Sequence, residues 1–175
     1  MWETIRLLDE PPGLGDRPAA AVLAPLFEDE SGELRTVLMK RPDTMPTHAG
    51  HIAFPGGRAG PGDKGPVDTA LREAREEVGI APSQVEVLGF LPAVDTVELG
   101  LVVAPVVGRV RAPLNLNPSE REVDKVYTPL VSHLADADRW SSAPWGGWRI
   151  WRYDLDGDTL WGATARIVRL MVGLD

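Results

Sequence analysis

The chain contains no cysteine among its 175 residues. Disulfides, thiolate metal sites and thiol nucleophiles are therefore excluded. It has no apolar run long enough to span a bilayer. Its opening "MWETIRLLDE" lacks a signal-peptide pattern, so the expected compartment is cytoplasmic. Positive charge is also in short supply, with 18 Lys and Arg against 26 Asp and Glu, a formal net charge of −8. A surface of that sign does not attract nucleic acid or anionic membrane, and neither is expected as a partner. It still permits a small anionic substrate held by local cations or a metal. Repeats and low-complexity tracts are absent too. What remains is a globular balance, 43% hydrophobic and 25% charged. The length suits one domain with a real core, so 1–175 reads as a single domain.

Residues 1–18 read as an N-terminal extension whose "EPPGLGDRP" is a loop. "AAAVLAPLF" (19–27) has buried-strand character, with Pro25 pointing to an edge or a break. "RTVLMKR" (35–41) reads as its hairpin partner. A long Gly/Pro-rich segment, 42–66, shows little regular structure, and long loops in compact domains are often functional. A helix is expected over 66–78, then strands within 85–94 and 99–110. "REVDKVYTPL" follows a Pro/Asn-rich turn, and "VSHLADADRW" reads as a short helix. "WRIWRYDLDGDTLWG" reads as a hairpin turning at Asp156-Gly157. The C-terminal "GATARIVRLMVGL" reads as a helix with Ala163, Ile167, Leu170 and Met171 on one face. Strands outnumber helices without regular alternation, which gives an α+β or mixed-sheet class.

The segment 66–78 carries the densest chemistry. With Leu71 at zero and about 100° per residue, Val67, Ala74 and Val78 fall within about 60° of it. Glu73, Glu76 and Glu77 fall on the opposite side, between about 140° and 240°. Pro66 suits the first turn and Gly79 the C-terminal stop. Three glutamates on one face are most simply a solvated acidic surface. The preceding "FPGGR" changes that reading. Carboxylates and backbone carbonyls are hard oxygen ligands for Mg²⁺ or Mn²⁺. Such an ion would offset the like-charge repulsion at i, i+3 and i+4, and could bind phosphate oxygens and acidify water.

The stretch "GGRAGPGDKGPVDTALREAREEVGI" (56–80) resembles the signature box of the Nudix hydrolases, with Arg72, Glu73, Ala74, Glu76, Glu77, Gly79 and Ile80 in register. Where that pattern has its leading glycine and glutamate, this chain has Arg58 and Lys64. Gly57 and Asp63 sit one residue earlier, as in a longer loop. That loop resembles the coenzyme A pyrophosphatase branch. So does "LMKRPDTMPTHAGHIAFPGG" (38–57), through Leu38, Arg41, Gly50, Phe54, Pro55, Gly56 and Gly57. Val37, Met39 and Pro42 depart from that second signature, and Pro46 stands where it has an arginine. "HAG" and "WGATARI" are also similar to that branch.

The resemblance implies the Nudix-type α/β/α sandwich with a mixed β-sheet. It implies Mg²⁺ or Mn²⁺ on Glu73 and Glu77, with Glu76 and the Gly57 carbonyl as further ligands, and Arg72 orienting a glutamate. The expected activity is hydrolysis of the diphosphate of coenzyme A or a derivative, giving 4′-phosphopantetheine and adenosine 3′,5′-bisphosphate. Arg41 and Arg58 are candidate substrate contacts. Among Glu120, Glu122 and Asp124, Glu122 is the favoured base, since Nudix enzymes often draw a carboxylate from a distal loop. For His48 and His51, hydrogen bonds anchoring the loop are favoured over substrate contact, and Phe54 and Pro55 are expected to shape it. The four tryptophans within 145–161 could stack on an adenine, but core or interface packing is favoured. ADP-ribose, NADH or dNTPs remain alternative substrates, and a non-catalytic nucleotide-binding module is the alternative of another class. A homodimer is among the assemblies allowed.

Overall fold

The computed structural model describes residues 5–14, 19–45, 47–96 and 100–175. Pro46, residues 15–18 of the expected N-terminal loop and Leu99 at the start of an expected strand lie outside the described residues.

The central sheet is mixed, in the order β2-β1-β8-β6. Here β1 is Ala19–Glu28, β2 Leu34–Thr36, β6 Val85–Phe90 and β8 Val102–Val110. Strands β1 and β8 run parallel from Ala19↔Val102 to Leu26↔Arg109, and the other pairings are antiparallel. Two short strands join the sheet: β5 (Gly56–Arg58) pairs with β1, and β7 (Val94–Asp95) pairs with β8.

Alternation along β1 and β8 builds a core on each face. Ala21 and Leu23 of β1 and Ala104, Val106 and Val110 of β8 pack with Ala70, Ala74 and Val78 of α1 (Pro66–Val78). On the other face, Ala24, Leu26, Val103 and Val107 pack with Ile167, Val168 and Met171 of α3 (Gly162–Met171). This is the α+β sandwich expected from the sequence.

Several elements differ in detail. Pro25 lies inside β1, a strand paired on both sides, rather than at a break. Leu23 donates to Pro55 on the side away from β8, and Pro25 accepts from the Thr36 hydroxyl at 2.8 Å. Its missing N–H thus falls in the gap between the β5 and β2 pairings, where no ladder bond is lost. The expected strand 35–41 splits at Val37 into β2 and β3 (Leu38–Lys40), which belong to different sheets. Strand β3 pairs with β4 (Ile52–Ala53) and β9 (Lys125–Tyr127). The Gly/Pro-rich segment therefore contributes two short strands, β4 and β5.

The expected short helix ends early: α2 covers Val131–Leu134, and Trp140 already begins β10 (Trp140–Trp145). That strand extends the hairpin of β11 (Trp148–Leu155) and β12 (Asp158–Trp161) into a three-stranded sheet. Asp156 and Gly157 both take positive φ at the β11–β12 turn, as a two-residue hairpin requires. The buried side of α3 is Ala165, Ile167, Val168 and Met171, while Ala163 and Leu170 are only half-buried. Asp158 ties this sheet to β3 and β9 by accepting from Lys40 at 2.8 Å and from the Tyr127 hydroxyl.

Candidate active site

Helix α1 forms where expected. Pro66 occupies its first turn, and Gly79 closes it in the left-handed conformation, φ 80. Its buried face is rotated from the expectation. Ala70 and Ala74 are fully buried, while Val67 and Leu71 are half-buried. The two alanines let the helix sit close against the sheet, so the contact face is centred nearer Ala74 than Leu71. Glu77 falls within that face and is 3% exposed. The expectation that all three glutamates share the side away from the core is therefore corrected: Glu76 is exposed, Glu73 half-buried and Glu77 buried.

Glu77 is held by the preceding glycine turn. The Gly56 N–H donates to Glu77 Oε2 at 2.8 Å, and Arg41 Nη1 lies 3.8 Å from Glu77 Oε1. Burial pushes the Glu77 carboxyl up to about 8. The Gly56 bond and Arg41 oppose that rise, whereas the charges of Glu73 and Glu122 add to it. Gly56 is a steric necessity of the fold, and Gly57 leaves room for the Glu73 carboxylate. A side chain on Gly56 would collide with the β1 backbone at Ala21 and Val22, and a Cβ on Gly57 would lie 2.6 Å from Glu73 Oε1.

Arg72 organises the rest. Its Nη1 reaches Glu73 Oε1 at 2.8 Å and Glu76 Oε2 at 3.2 Å, and its Nη2 donates to the Arg58 carbonyl at 3.0 Å. Asp63 accepts from Arg72 at 3.0 Å, from the Gly60 N–H at 2.7 Å and from the Thr69 hydroxyl at 3.0 Å. These bonds hold its pKa at about 2. Asp63, the aspartate of the longer loop, is thus the group that fixes Arg72.

The remaining expected residues divide. Arg41 lines a cavity of about 370 Å³ that also touches Gly56 and Gly57, and its Nε is buried with no partner among the described residues. Arg58 has an exposed side chain and is not among the residues lining that cavity. Its carbonyl, not its guanidinium, enters the network. Glu122 is exposed, on a loop tied to the end of α1 by Ser119 N–H to Glu77 O at 2.8 Å and Asn117 N–H to Val78 O at 3.0 Å. That attachment brings its charge to bear on Glu77 across forty-odd residues of chain. His48 and His51 both line the cavity; His51 meets Trp161 edge-on at 4.8 Å. The loop they sit on is closed by Arg41 N–H to His51 O at 2.9 Å.

The packing expectation holds for Trp151, which lies against the buried core, and is corrected for Trp145 and Trp148. All four within 145–161 border the cavity, and Trp145 and Trp148 are 53% and 51% exposed. Arg149 and Arg166, not singled out in the sequence, border it as well. The clustering of Trp and Arg in "WGGWRIWR" was the available signal.

Among the described residues no three carboxylate or imidazole groups converge as a ready-made metal cluster. Arg72 draws Glu73 and Glu76 to itself, and the Gly56 N–H holds Glu77. The donors still suit a hard divalent cation, being carboxylate oxygens beside the Gly56–Gly57 backbone. Glu77 in particular is a buried carboxylate with two like charges near it, and a cation would relieve both penalties.

Residues 17–148 match the family described as NUDIX domain. The chain is 42% identical over 159 residues to "Nudix hydrolase 22, chloroplastic" of Arabidopsis thaliana, covering 85% of this chain and 52% of that protein. It is 38% identical over 166 residues to "Uncharacterized Nudix hydrolase NudL" of an Enterobacter species, covering 91% and 85%. The chain thus spans about half the length of the plant relative and most of the bacterial one. A MutT/nudix family protein from Enterococcus faecalis superposes with TM-score 0.62 at 17% identity, over 93% of this chain and 63% of that one. A C. elegans Ap4A hydrolase in a binary complex gives 0.56 at 21%, over 68% and 86%. At such identities these two structures speak for the fold alone.

Proposed function

The chain belongs to the Nudix hydrolase family, and on that premise we propose that it cleaves the diphosphate bond of coenzyme A or its derivatives, releasing 4′-phosphopantetheine and adenosine 3′,5′-bisphosphate. The observation carrying the hydrolytic reading is the placement of Glu77: buried, fixed by the Gly56 N–H, near the charges of Glu73 and Glu122, and beside a cavity. The coenzyme A assignment is supported by the likeness of 38–57 and of the longer loop with Asp63 to that branch.

Glu73 and Glu77 would hold Mg²⁺ or Mn²⁺, with Glu76 and the Gly57 carbonyl completing the set. Such a cation would supply positive charge to the diphosphate oxygens and acidify the attacking water. Arg72, braced by Asp63, keeps the Glu73 carboxylate oriented toward Gly57. Arg41 meets a phosphate oxygen with its buried Nε–H. Glu122 takes the proton from water, as the carboxylate that the distal loop delivers near Glu77.

A panel of coenzyme A, acyl-coenzyme A, ADP-ribose, NADH and dNTPs, incubated with Mg²⁺ or Mn²⁺ and resolved by chromatography, tests the assignment. Coenzyme A should give the two named products, and Glu77→Gln should lose nearly all turnover while remaining folded. Preference for ADP-ribose, NADH or a dNTP would overturn the substrate. Pro46, in place of an arginine, is the observation that favours such an alternative. Turnover of none would favour a nucleotide-binding module, and near-wild-type turnover by Glu77→Gln would remove the metal assignment.

A further inference from the structure

We propose that the cavity beside the carboxylates is a subsite for a nucleoside bearing a phosphate monoester in addition to the scissile diphosphate. Trp145 and Trp148 take the base, and Arg149 and Arg166 take the extra phosphate. The proposal rests on the hydrolytic reading above and names the part of the substrate that this chain selects.

Continuity comes first. The cavity of about 370 Å³ is bordered at one point by Gly56, Gly57 and Arg41, the groups around Glu73 and Glu77, and elsewhere by the β10–β11 hairpin and the start of α3. The carboxylates do not themselves line the cavity; they touch it through Gly56 and Gly57, so a group attached to a diphosphate held at the carboxylates can extend past these glycines into it, and the volume is in the range of small-ligand sites.

The walls define the chemistry. Trp145 and Trp148 are direct partners in the β10–β11 register, so their indoles project on the same side of the hairpin. Gly146 and Gly147, both at positive φ, make the two-residue turn that brings the indoles together. Both are about half exposed at the cavity rim. Large flat apolar faces left in water beside a cavity suit a planar ring, which every base provides.

Two guanidiniums border the same cavity, Arg149 from the face of β11 opposite Trp148 and Arg166 from α3. Arg149 gives one Nη to the Ser142 hydroxyl at 2.8 Å and lies 5.9 Å from the Trp151 ring, which leaves other N–H donors available. Arg166 is exposed and has no carboxylate partner among the described residues. The first turn of α3, entered from Trp161 without a side-chain cap, adds its backbone N–H groups to the same wall. Two carboxylates also border the cavity. Asp175 is neutralised by Arg169 at 2.9 Å, and Asp95 has a partner of its own.

In a chain of net charge −8, this pairing of guanidiniums with indoles has a specific ligand class. An aliphatic acyl group makes no use of guanidinium donors. ADP-ribose and NADH carry no phosphate monoester beyond the diphosphate. A 3′-phosphorylated adenosine diphosphate uses both the rings and the cations. On this reading Arg149 and Arg166 supply the cationic contact that Pro46 lacks.

The test has a binding arm and a turnover arm. Tryptophan fluorescence in EDTA is titrated with adenosine 3′,5′-bisphosphate and with AMP, which differ only in the 3′-phosphate. The intact protein should bind the bisphosphate about 10-fold more tightly. Arg149→Ala/Arg166→Ala, shown folded by its melting curve, should lose that preference, and Trp145→Ala/Trp148→Ala should weaken both ligands alike. In turnover, kcat/KM for coenzyme A over 3′-dephospho-coenzyme A should fall in the arginine double variant and hold in the tryptophan one. Equal affinity of the intact protein for the two nucleotides overturns the subsite, as does failure to bind either, or arginine variants that weaken both equally. A preference in binding without hydrolysis of coenzyme A would sink the proposed activity and keep the subsite. Hydrolysis of both coenzymes at equal efficiency would do the reverse.

Discussion

Replacing Glu77 by Gln should stabilise the metal-free protein, and increasingly so as pH rises. Glutamine keeps an acceptor for the Gly56 N–H and removes the charge. Glu77 has a folded-state pKa of about 8 against the ordinary glutamate value of 4.5. A raised pKa means that the folded state binds the proton more tightly than the unfolded chain. The stabilising effect is therefore complete below the unfolded value and is lost as pH climbs through the folded one. At about 1.4 kcal/mol per pH unit, ionising Glu77 in the metal-free fold costs on the order of 5 kcal/mol. Of this, roughly 3 kcal/mol develops between about pH 5 and about pH 8. For a chain of this length, that corresponds to a melting shift of roughly 10 °C.

The assay is thermal unfolding of both proteins in EDTA across that range, read as their difference so that other titrations cancel. The advantage of Glu77→Gln should grow by about that amount toward pH 8. Saturating Mn²⁺ should then raise the wild type and close the gap, because a ligand that binds only the folded state stabilises it by mass action. A gap that does not change with pH in EDTA would refute the claim that burial and neighbouring charge hold Glu77 protonated.

Gly57→Ala places a methyl 2.6 Å from Glu73 Oε1 and should displace that carboxylate. The expected result is a Mn²⁺ activation midpoint raised about 10-fold or more, with little change in melting temperature; an unchanged midpoint would show that Glu73 is not a ligand. Asp158→Asn should lower the melting temperature at neutral pH, because Lys40 and Tyr127 lose the carboxylate that holds two sheets together. Those partners depress the Asp158 pKa to about 2, so its contribution is present above the usual value of 3.8 and is lost as pH falls through about 2. The two proteins should converge in melting temperature at strongly acid pH.

Local signals in the chain carried well. The apolar period and the Pro66 and Gly79 punctuation locate α1 to its observed ends, and Asp156-Gly157 locates the β11–β12 turn. Signals whose meaning depends on a distant neighbour carried less. Pro25 has the composition of a strand breaker, yet the gap between β5 and β2 accommodates its missing N–H. "RTVLMKR" reads as one strand because nothing local shows that Leu34–Thr36 pairs with β1 while Leu38–Lys40 pairs with β9. The tryptophans of 145–161 look like core material by composition, but Trp145 and Trp148 stand about half exposed at a cavity that α3 and the β4–β5 segment also line.

The side chains available for the chemistry follow from the chain alone: Glu73, Glu76 and Glu77 on one helix, Arg72 among them, and a double glycine before it. Helical spacing places the three carboxylates on adjacent positions whatever they pack against. That Glu77 is buried while Glu76 is exposed comes from packing across the fold, because it depends on α1 settling on Ala70 and Ala74 against the sheet. Tertiary packing also brings the Glu122 charge to bear on Glu77 and sets Arg149 and Arg166 on the wall of the neighbouring cavity. A periodic pattern reports an average apolar face. The field at a carboxylate is set by groups brought within a few ångströms from separate parts of the chain.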